Sequence, residues 1–190
     1  MRTAEAARFA PLWGASIGAL SGAVYWLGAQ IWPANVAVIL SMAATALLTT
    51  GFGDVPPATR MDVLSRIFCL LVKYNALMSL SSAKLPFVVP ANFALGVIMI
   101  CGHAASFTLA EAARTRNASS RPALLLGFAP AALLGIPGLI GLAAAIIAGL
   151  GVVAYLKFKR ALGSSGLPDM LQLLTEACFY LGALAAWSYV

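Results

Sequence analysis

The chain has 190 residues, of which 62% are hydrophobic and 9% are charged. In soluble domains about a quarter of all residues are charged, so this composition excludes an ordinary water-soluble domain and indicates a membrane protein. Twelve Lys and Arg oppose six Asp and Glu, for a formal charge of +6. These cations separate apolar runs and form no continuous basic stripe, so we expect no nucleic-acid partner.

Six segments come close to the roughly 20 apolar residues that a helix needs to cross the hydrocarbon core: 12–31, 35–52, 63–82, 87–110, 138–158 and 170–190. A further segment, 123–136, is short, contains Pro130 and is joined to the next by Pro137-Gly138. It is predicted as a tilted half-length helix or as a re-entrant arm. We therefore expect an all-α, polytopic membrane helical bundle that forms one domain over 1–190. Seven transmembrane helices is the preferred count and six the alternative.

The positions of the cations predict the orientation, because short cytoplasmic loops collect Lys and Arg. With seven spans and a cytoplasmic amino terminus, Lys84 lies outside and Lys73 lies within a span. Ten cations then lie inside: Arg2, Arg8, Arg60, Arg66, Arg114, Arg116, Arg121, Lys157, Lys159 and Arg160. The apolar segment after Arg8 has membrane length and no clear cleavage site, so we expect it to be retained. The predicted location is a bacterial-type inner membrane.

Small residues recur at helical spacing in two spans. The first contains Gly14, Gly18 and Gly22, and the sixth has Gly141, Ala145 and Gly149. Such ridges let a neighbouring backbone approach closely, so they predict tight helix packing. The three cysteines, Cys69, Cys101 and Cys178, fall in apolar stretches without a CxxC pair. They are predicted to be small core residues, with neither a disulfide framework nor a zinc site.

Polar groups in two predicted loops are candidates for binding Mg²⁺ and phosphate. Asp54 lies in a glycine- and proline-rich break, where a carboxylate can hold Mg²⁺ or cap a loop. Asp62 precedes the third span, and helix capping is its expected role. The loop before the last span combines cations, a flexible backbone and a carboxylate, as suits a phosphate held with a metal: Lys159, Arg160, Ser164, Ser165 and Asp169. An ordinary cytoplasmic loop would also contain cations.

Ionisable residues inside the spans are functional candidates, because charge at membrane depth is costly. Lys73 and His103 lie within predicted spans, and Glu176 lies about two turns into the last one. Lys73 is expected to pair with Glu176 or to extend towards the interface. The structural alternative for His103 is a hydrogen bond to a backbone carbonyl. Asp169 and Glu176 share a helix face but are separated by about 10 Å of rise, so they are not expected to ligate one ion together.

The order of four segments resembles the cobalamin synthase family, the adenosylcobinamide-GDP ribazoletransferases: FAPLWG and GALSG at 9–22, LLTTGF at 47–52, HAAS at 103–106, and the stretch 159–176. The resemblance implies attack by a hydroxyl of the lower-ligand ribotide on a pyrophosphate-linked corrinoid, with loss of GMP. It also implies Mg²⁺ across the phosphates, held by carboxylates here represented by Asp54, Asp169, Glu176 and Asp62. Corrinoid and nucleotide-like molecules are the implied ligands, and a lipid bilayer, a membrane-protein partner or a second copy are the expected contacts.

The acidic motif of that family is only partly present. The family places aspartates at i, i+4 and i+7 after the second span, and from Asp54 those positions hold Ala58 and Met61. Pro56 and Pro57 would also interrupt a helix there. We therefore expect weak turnover, and no single catalytic residue is assigned. A catalytically degenerate membrane scaffold or assembly subunit is the alternative, and a small transporter with discontinuous helices is a further one.

Overall fold

The computed structural model describes residues 2–50, 60–82, 91–115, 121–158 and 167–188. Every regular element in these ranges is a helix, which confirms the predicted all-α class. Over these residues there are seven: α1 Arg2–Ile31, α2 Ala34–Thr50, α3 Arg60–Ser82, α4 Ala91–Thr115, α5 Arg121–Leu133, α6 Ile136–Phe158 and α7 Leu167–Ser188.

Four helices in the described part of the chain are long and apolar enough to cross a membrane, over Val63–Ser82, Phe93–Ala113, Ile136–Tyr155 and Met170–Ser188. The apolar stretches Ala34–Thr49 in α2 and Pro122–Leu133 in α5 are shorter. Many large apolar side chains remain exposed, among them Phe68, Leu133 and Ile147. An apolar outer surface of this kind fits a lipid environment and would be unfavourable in water. The protein is a membrane helical bundle.

The short segment is a helix of its own, and its break lies slightly earlier than expected. The sequence indicates Pro137-Gly138 as the junction, whereas α5 ends at Leu133 and α6 already begins at Ile136. Gly135 has a φ of +68°, a left-handed conformation that glycine adopts without steric cost and that commonly ends helices. Pro137 lies in the first turn of α6, where a missing N–H is tolerated. Pro130 is accommodated inside α5.

The predicted glycine ridge of α1 packs against α4. A Cβ atom placed on Gly14, Gly18 or Gly22 would stand 2.6 Å from the carbonyl oxygen of His103, 2.6 Å from Cα of Ile100 and 2.9 Å from Cα of Gly96, respectively. The partner residue number falls as the α1 number rises, so the two helices are antiparallel. This close contact between backbones confirms the packing that the small-residue spacing predicts.

The ridge of α6 is likewise covered, in this case by α7. A Cβ on Gly141 would lie 2.7 Å from the carbonyl oxygen of Phe179, and one on Gly149 would lie 3.3 Å from the methyl carbon of Thr175. Ala145 between them is fully buried. These pairs again run antiparallel. Helix α4 contacts α1, α5, α6, α7 and α3, so it lies at the centre of the bundle.

The three cysteines are free thiols. Cys69 and Cys101 are buried and Cys178 is half-buried. They pack as small side chains within α3, α4 and α7.

Candidate functional site

Four polar side chains meet in the interior of the bundle, and we call them the buried cluster: Lys73 of α3, His103 of α4, and Glu176 and Tyr180 of α7. Nζ of Lys73 lies 2.7 Å from Oε1 of Glu176. The hydroxyl of Tyr180 donates to the same oxygen at 2.9 Å, and Nε2 of His103 lies 3.1 Å from it. Three groups from three helices therefore converge on one carboxylate oxygen. The pairing of Lys73 with Glu176 is the one that the sequence predicts.

The spacing along α7 and a glycine on α4 together determine the position of Tyr180. Glu176 and Tyr180 are four residues apart, so they lie on the same face of α7. The Tyr180 ring lies against Gly102 of α4, where a Cβ atom would stand 2.7 Å from Cε1 of the ring. Gly102 thus provides the space in which the Tyr180 hydroxyl reaches the carboxylate.

His103 is oriented by its own helix. Its Nδ1 lies 2.9 Å from the carbonyl oxygen of Met99, one turn earlier. A carbonyl only accepts hydrogen bonds, so we assign a proton to Nδ1. Nε2 is close to Glu176 but is not aligned for a hydrogen bond. The expected bond from His103 to a backbone carbonyl is confirmed.

The low polarity of the surroundings makes the pairing of Lys73 with Glu176 important for folding. Side-chain exposure is 3% for Lys73 and 1% for Glu176. A buried ion pair contributes little net stability, because both charges lose water, but removing one partner leaves a charge unpaired and typically costs about 3–5 kcal/mol. The pair therefore fixes the position of α3 against α7.

A cavity of about 140 Å³ lies beside this ion pair, between α2, α3 and α7. Its lining residues are Met42, Thr45, Ala46, Thr49, Arg66, Leu70, Lys73, Gln172, Leu173 and Glu176. Thr49 belongs to the last turn of α2, Arg66 to the second turn of α3 and Gln172 to the second turn of α7. The carboxyl end of one helix and the amino ends of two others therefore meet at this cavity.

Hydroxyl groups hold the α2 wall of the cavity against α1. The Thr45 hydroxyl donates to Oγ of Ser21 at 2.9 Å, and Ser21 is 3.1 Å from the carbonyl oxygen of Ser41. All three side chains are buried. Because buried hydroxyls without partners are costly, these bonds fix α2 relative to α1. Helix α1, which carries the glycine ridge, thus also supports the α2 wall of the cavity.

The structure describes only part of the predicted Mg²⁺ and phosphate site. Asp54 and four of the five candidate residues in the last loop lie outside the described residues: Lys159, Arg160, Ser164 and Ser165. Asp62 and Asp169 lie in the first turns of α3 and α7, and the structure does not describe their side chains. Glu176 lies in the buried cluster. Within the described residues no group of three or more His, Cys, Asp or Glu side chains could hold a metal ion.

Sequence reasoning missed three residues around the cavity and the cluster. Tyr180 could have been found from its position four residues after Glu176, which places both on one helix face. Arg66 is seven residues before Lys73 and therefore lies on the same face of α3, although the cation pattern predicts it only as a cytoplasmic residue. Gly102 gave no sequence signal, because its role depends on which ring packs against it.

Residues 1–53 match the family model described as Cobalamin-5-phosphate synthase. A curated adenosylcobinamide-GDP ribazoletransferase of Leptothrix cholodnii is 56% identical over 48 residues, which are 25% of this chain and 18% of that protein. One of Ralstonia pickettii is 34% identical over 127 residues, or 54% of this chain and 46% of that protein. The chain thus spans less than half the length of these curated relatives, and no solved structure matches it. By these matches parts of the chain are similar to the cobalamin synthase family, most closely over the first quarter.

Proposed function

We propose that the protein acts in cobalamin biosynthesis as a membrane-bound transferase that joins the lower-ligand ribotide to GDP-activated cobinamide and releases GMP. The proposal includes a multi-pass arrangement in a bacterial inner membrane with a cytoplasmic amino terminus. A hydroxyl of the ribotide forms the new bond to the corrinoid-linked phosphorus, and the bond to GMP breaks. The names of the matched relatives support this reaction class.

The observation that carries the proposal is the meeting of three helix ends at one cavity. The segment that follows α2 in the sequence contains Asp54, the first turn of α3 contains Asp62, and the first turn of α7 contains Asp169. Residues of these same helix ends line the cavity. Each of the three predicted acidic residues is therefore close in sequence to a helix end, and these three helix ends lie together at the cavity. A reaction at a diphosphate needs such a concentration of carboxylates and cations.

Glu176 is a poor Mg²⁺ ligand in this arrangement. Its Oε1 already contacts the Lys73 ammonium and accepts a hydrogen bond from Tyr180. Mg²⁺ prefers carboxylates free to enter an octahedral shell of oxygen ligands and waters. We therefore base the proposed metal site on Asp54 and Asp169, with Asp62 as a further candidate. Bound there, Mg²⁺ would neutralise the negative charge of the diphosphate.

Helix directions support the proposed multi-pass arrangement. Helix α1 is antiparallel to α4 and to α2, as the contact of Gly28 with Ala37 and the bond between Ser21 and Ser41 indicate. Helices α6 and α7 are also antiparallel. Lys73 of α3 pairs with Glu176 of α7. The earlier residues Arg66 of α3 and Gln172 of α7 line the same cavity. Helices α3 and α7 are therefore parallel. A chain that reverses direction with each of seven helices has these relationships.

Turnover by the purified full chain tests the proposal. The protein in lipid nanodiscs is mixed with adenosylcobinamide-GDP, α-ribazole phosphate and Mg²⁺, and GMP is quantified by chromatography. We expect GMP and the joined corrinoid in equal amounts, at a low rate because Ala58 and Met61 replace two expected acids. Omission of the ribotide is the control for hydrolysis.

Absence of both products at all Mg²⁺ concentrations would contradict the enzymatic proposal. The scaffold interpretation would then be preferred, since it needs the helical bundle and no chemistry.

A further inference from the structure

We propose that the protein forms a parallel dimer in the membrane, in which the outward face of α3 packs against the same face of a second copy around a pair of Asn75 side chains. This inference is independent of the proposed reaction, because it concerns the outer surface of the bundle and uses no residue that lines the cavity. It starts from one polar side chain that faces outward at membrane depth.

Asn75 lies inside the membrane-spanning part of α3. The apolar span Val63–Ser82 has 20 residues, which cover about 30 Å, and Asn75 precedes its end by about 10 Å of helix rise. The side chain of Asn75 is exposed on the outside of the bundle. An amide on so short a side chain does not reach the headgroups from that depth, and lipid tails offer it no hydrogen-bond partner.

Most of the hydrogen-bonding capacity of Asn75 is unused within the described part of the chain. A side-chain amide has two N–H donors and one carbonyl oxygen. One N–H donates to the carbonyl oxygen of Leu71, one turn earlier on the same helix, at 2.8 Å. The side chain has no further polar contact with the described residues. Because unpaired polar groups are costly in hydrocarbon, Asn75 favours contact with another helix that supplies partners.

Asn75 belongs to a row of residues spaced like the seam of a coiled coil. The row advances along α3 in alternating steps of four and three residues, and we call it the α3 stripe: Leu64, Phe68, Leu71, Asn75, Met78 and Ser82. Met78 is half-buried and the other five are exposed. Two parallel helices pack through such a repeat, in membranes as in water. A single Asn in the seam fixes the register and the number of helices.

The inward face of α3 leaves the stripe without charge. Lys73 points into the bundle, where it pairs with Glu176. Ala76, Leu77 and Leu80 are buried on the same side. None of the six stripe residues is ionisable. Repulsion between like charges therefore does not oppose the packing of two α3 stripes.

A second copy of this chain is the partner that the Asn75 amide fits. An amide carries a donor and an acceptor side by side, so it is complementary to its own image across a two-fold axis. Copies inserted in the same orientation hold residue 75 at the same depth. A two-fold axis along the membrane normal therefore brings the two Asn75 side chains together without any shift in register. An unrelated helix would need a polar group at that one depth.

Energy transfer between copies in phosphatidylcholine vesicles tests the dimer. The full chain is labelled at its amino terminus with a donor or an acceptor dye, and the lipid-to-protein ratio is varied. We expect transfer above the level of random proximity, which falls on dilution with lipid. Asn75→Leu should weaken association by about tenfold, the effect of one hydrogen bond between membrane helices. Asn75→Gln keeps an amide and should associate more tightly than Asn75→Leu.

The matched control is Ser16→Leu. It replaces an exposed polar residue of α1 whose hydroxyl, like the Asn75 amide, bonds to carbonyl oxygens of its own helix. This variant should dimerise like the wild type. Both leucine variants should keep the wild-type unfolding midpoint in detergent at a dilution where the protein is monomeric, because neither removes a contact between helices of one copy.

Disulfide crosslinking identifies the face that makes the contact. In a variant whose three native cysteines are replaced by alanine, Phe68→Cys lies on the α3 stripe. Ile147→Cys is the control on α6, since Ile147 is 71% exposed and Phe68 is 67% exposed. Oxidation in vesicles should join two copies through Phe68→Cys and not through Ile147→Cys. Adding Asn75→Leu should lower the yield of the Phe68→Cys crosslink.

The proposal is overturned if energy transfer stays at the level of random proximity at every lipid-to-protein ratio. It is also overturned if Asn75→Leu associates as tightly as Ser16→Leu, or if Ile147→Cys forms the crosslink as readily as Phe68→Cys. None of these measurements uses substrate or Mg²⁺, so their outcome is separate from that of the turnover experiment.

Discussion

Gly18 of α1 and Ile100 of α4 are in backbone contact: a Cβ atom on Gly18 would stand 2.6 Å from Cα of Ile100. No rotation of a side chain can relieve such a clash, so the helices themselves would have to separate. This distinguishes the α1–α4 contact from interfaces between flexible side chains.

We expect Gly18→Leu to destabilise the bundle by more than the roughly 1–3 kcal/mol typical of overpacking. The midpoint of thermal unfolding in detergent is the measurement. Gly151→Leu is the control, since nothing lies within 4 Å of a Cβ at that position. Equal midpoints for the two variants would mean that the α1–α4 contact does not form in the protein.

The buried ion pair leads to a second prediction. Lys73→Met leaves Glu176 buried without its ammonium and should lower the free energy of unfolding by about 3–5 kcal/mol. The double variant Lys73→Met/Glu176→Leu should lose less than the sum of the two single variants, because no unpaired charge remains. Chemical denaturation in mixed micelles measures these values. Additive losses would show that the two side chains do not interact.

A third prediction concerns the space at Gly102. Gly102→Ala should push the Tyr180 ring away from Glu176 and destabilise the protein by about 1–3 kcal/mol. Gly96→Ala on the same helix is the control, because a Cβ there meets Gly22 at an ordinary 3.7 Å. In the presence of Tyr180→Phe the loss caused by Gly102→Ala should shrink, since the hydrogen bond is already gone. If Gly102→Ala costs the same stability with and without the Tyr180 hydroxyl, Gly102 does not act through that hydrogen bond.

The ten-to-one distribution of cations leads to a fourth prediction, on orientation. In a variant with the three native cysteines replaced by alanine, Lys84→Cys should react with an impermeant thiol reagent only from outside, and Lys159→Cys only from inside. Both positions lie outside the described residues. Labelling of both from one side would contradict an odd number of crossings between them and hence the seven-span arrangement.

A fifth prediction tests the aspartates. Asp54→Asn and Asp169→Asn should each weaken Mg²⁺-dependent binding of the GDP-linked corrinoid, because the amide keeps the shape but removes the charge that attracts the ion. Calorimetric titration with and without Mg²⁺ measures the effect. Glu111→Gln, a carboxylate change within α4, should leave it unaltered. Binding by the wild type that ignores Mg²⁺ and both aspartates would remove the metal site from the proposal.

Pairing inside the membrane was predictable from the sequence, whereas the geometry around it was not. Lys73 and Glu176 are ionisable groups at membrane depth, and the cost of isolated charge there leaves few alternatives to their contact. The Tyr180 hydroxyl joins them only because Gly102 lies opposite, and that depends on how α4 is rotated against α7. The glycine ridge predicted close packing but did not identify α4 as the partner, since a row of small residues fits many helix surfaces.

The partner of the α1 ridge is synthesised late. Ile100 follows Gly18 by about 80 residues, so at translation rates of about 5–20 residues per second α1 waits on the order of ten seconds for α4. Throughout that interval its glycine surface faces lipid or other nascent helices. The α1–α4 contact therefore cannot form until the fourth helix has been made, and a delay in synthesis between them would lengthen the time in which α1 can associate with the wrong helix.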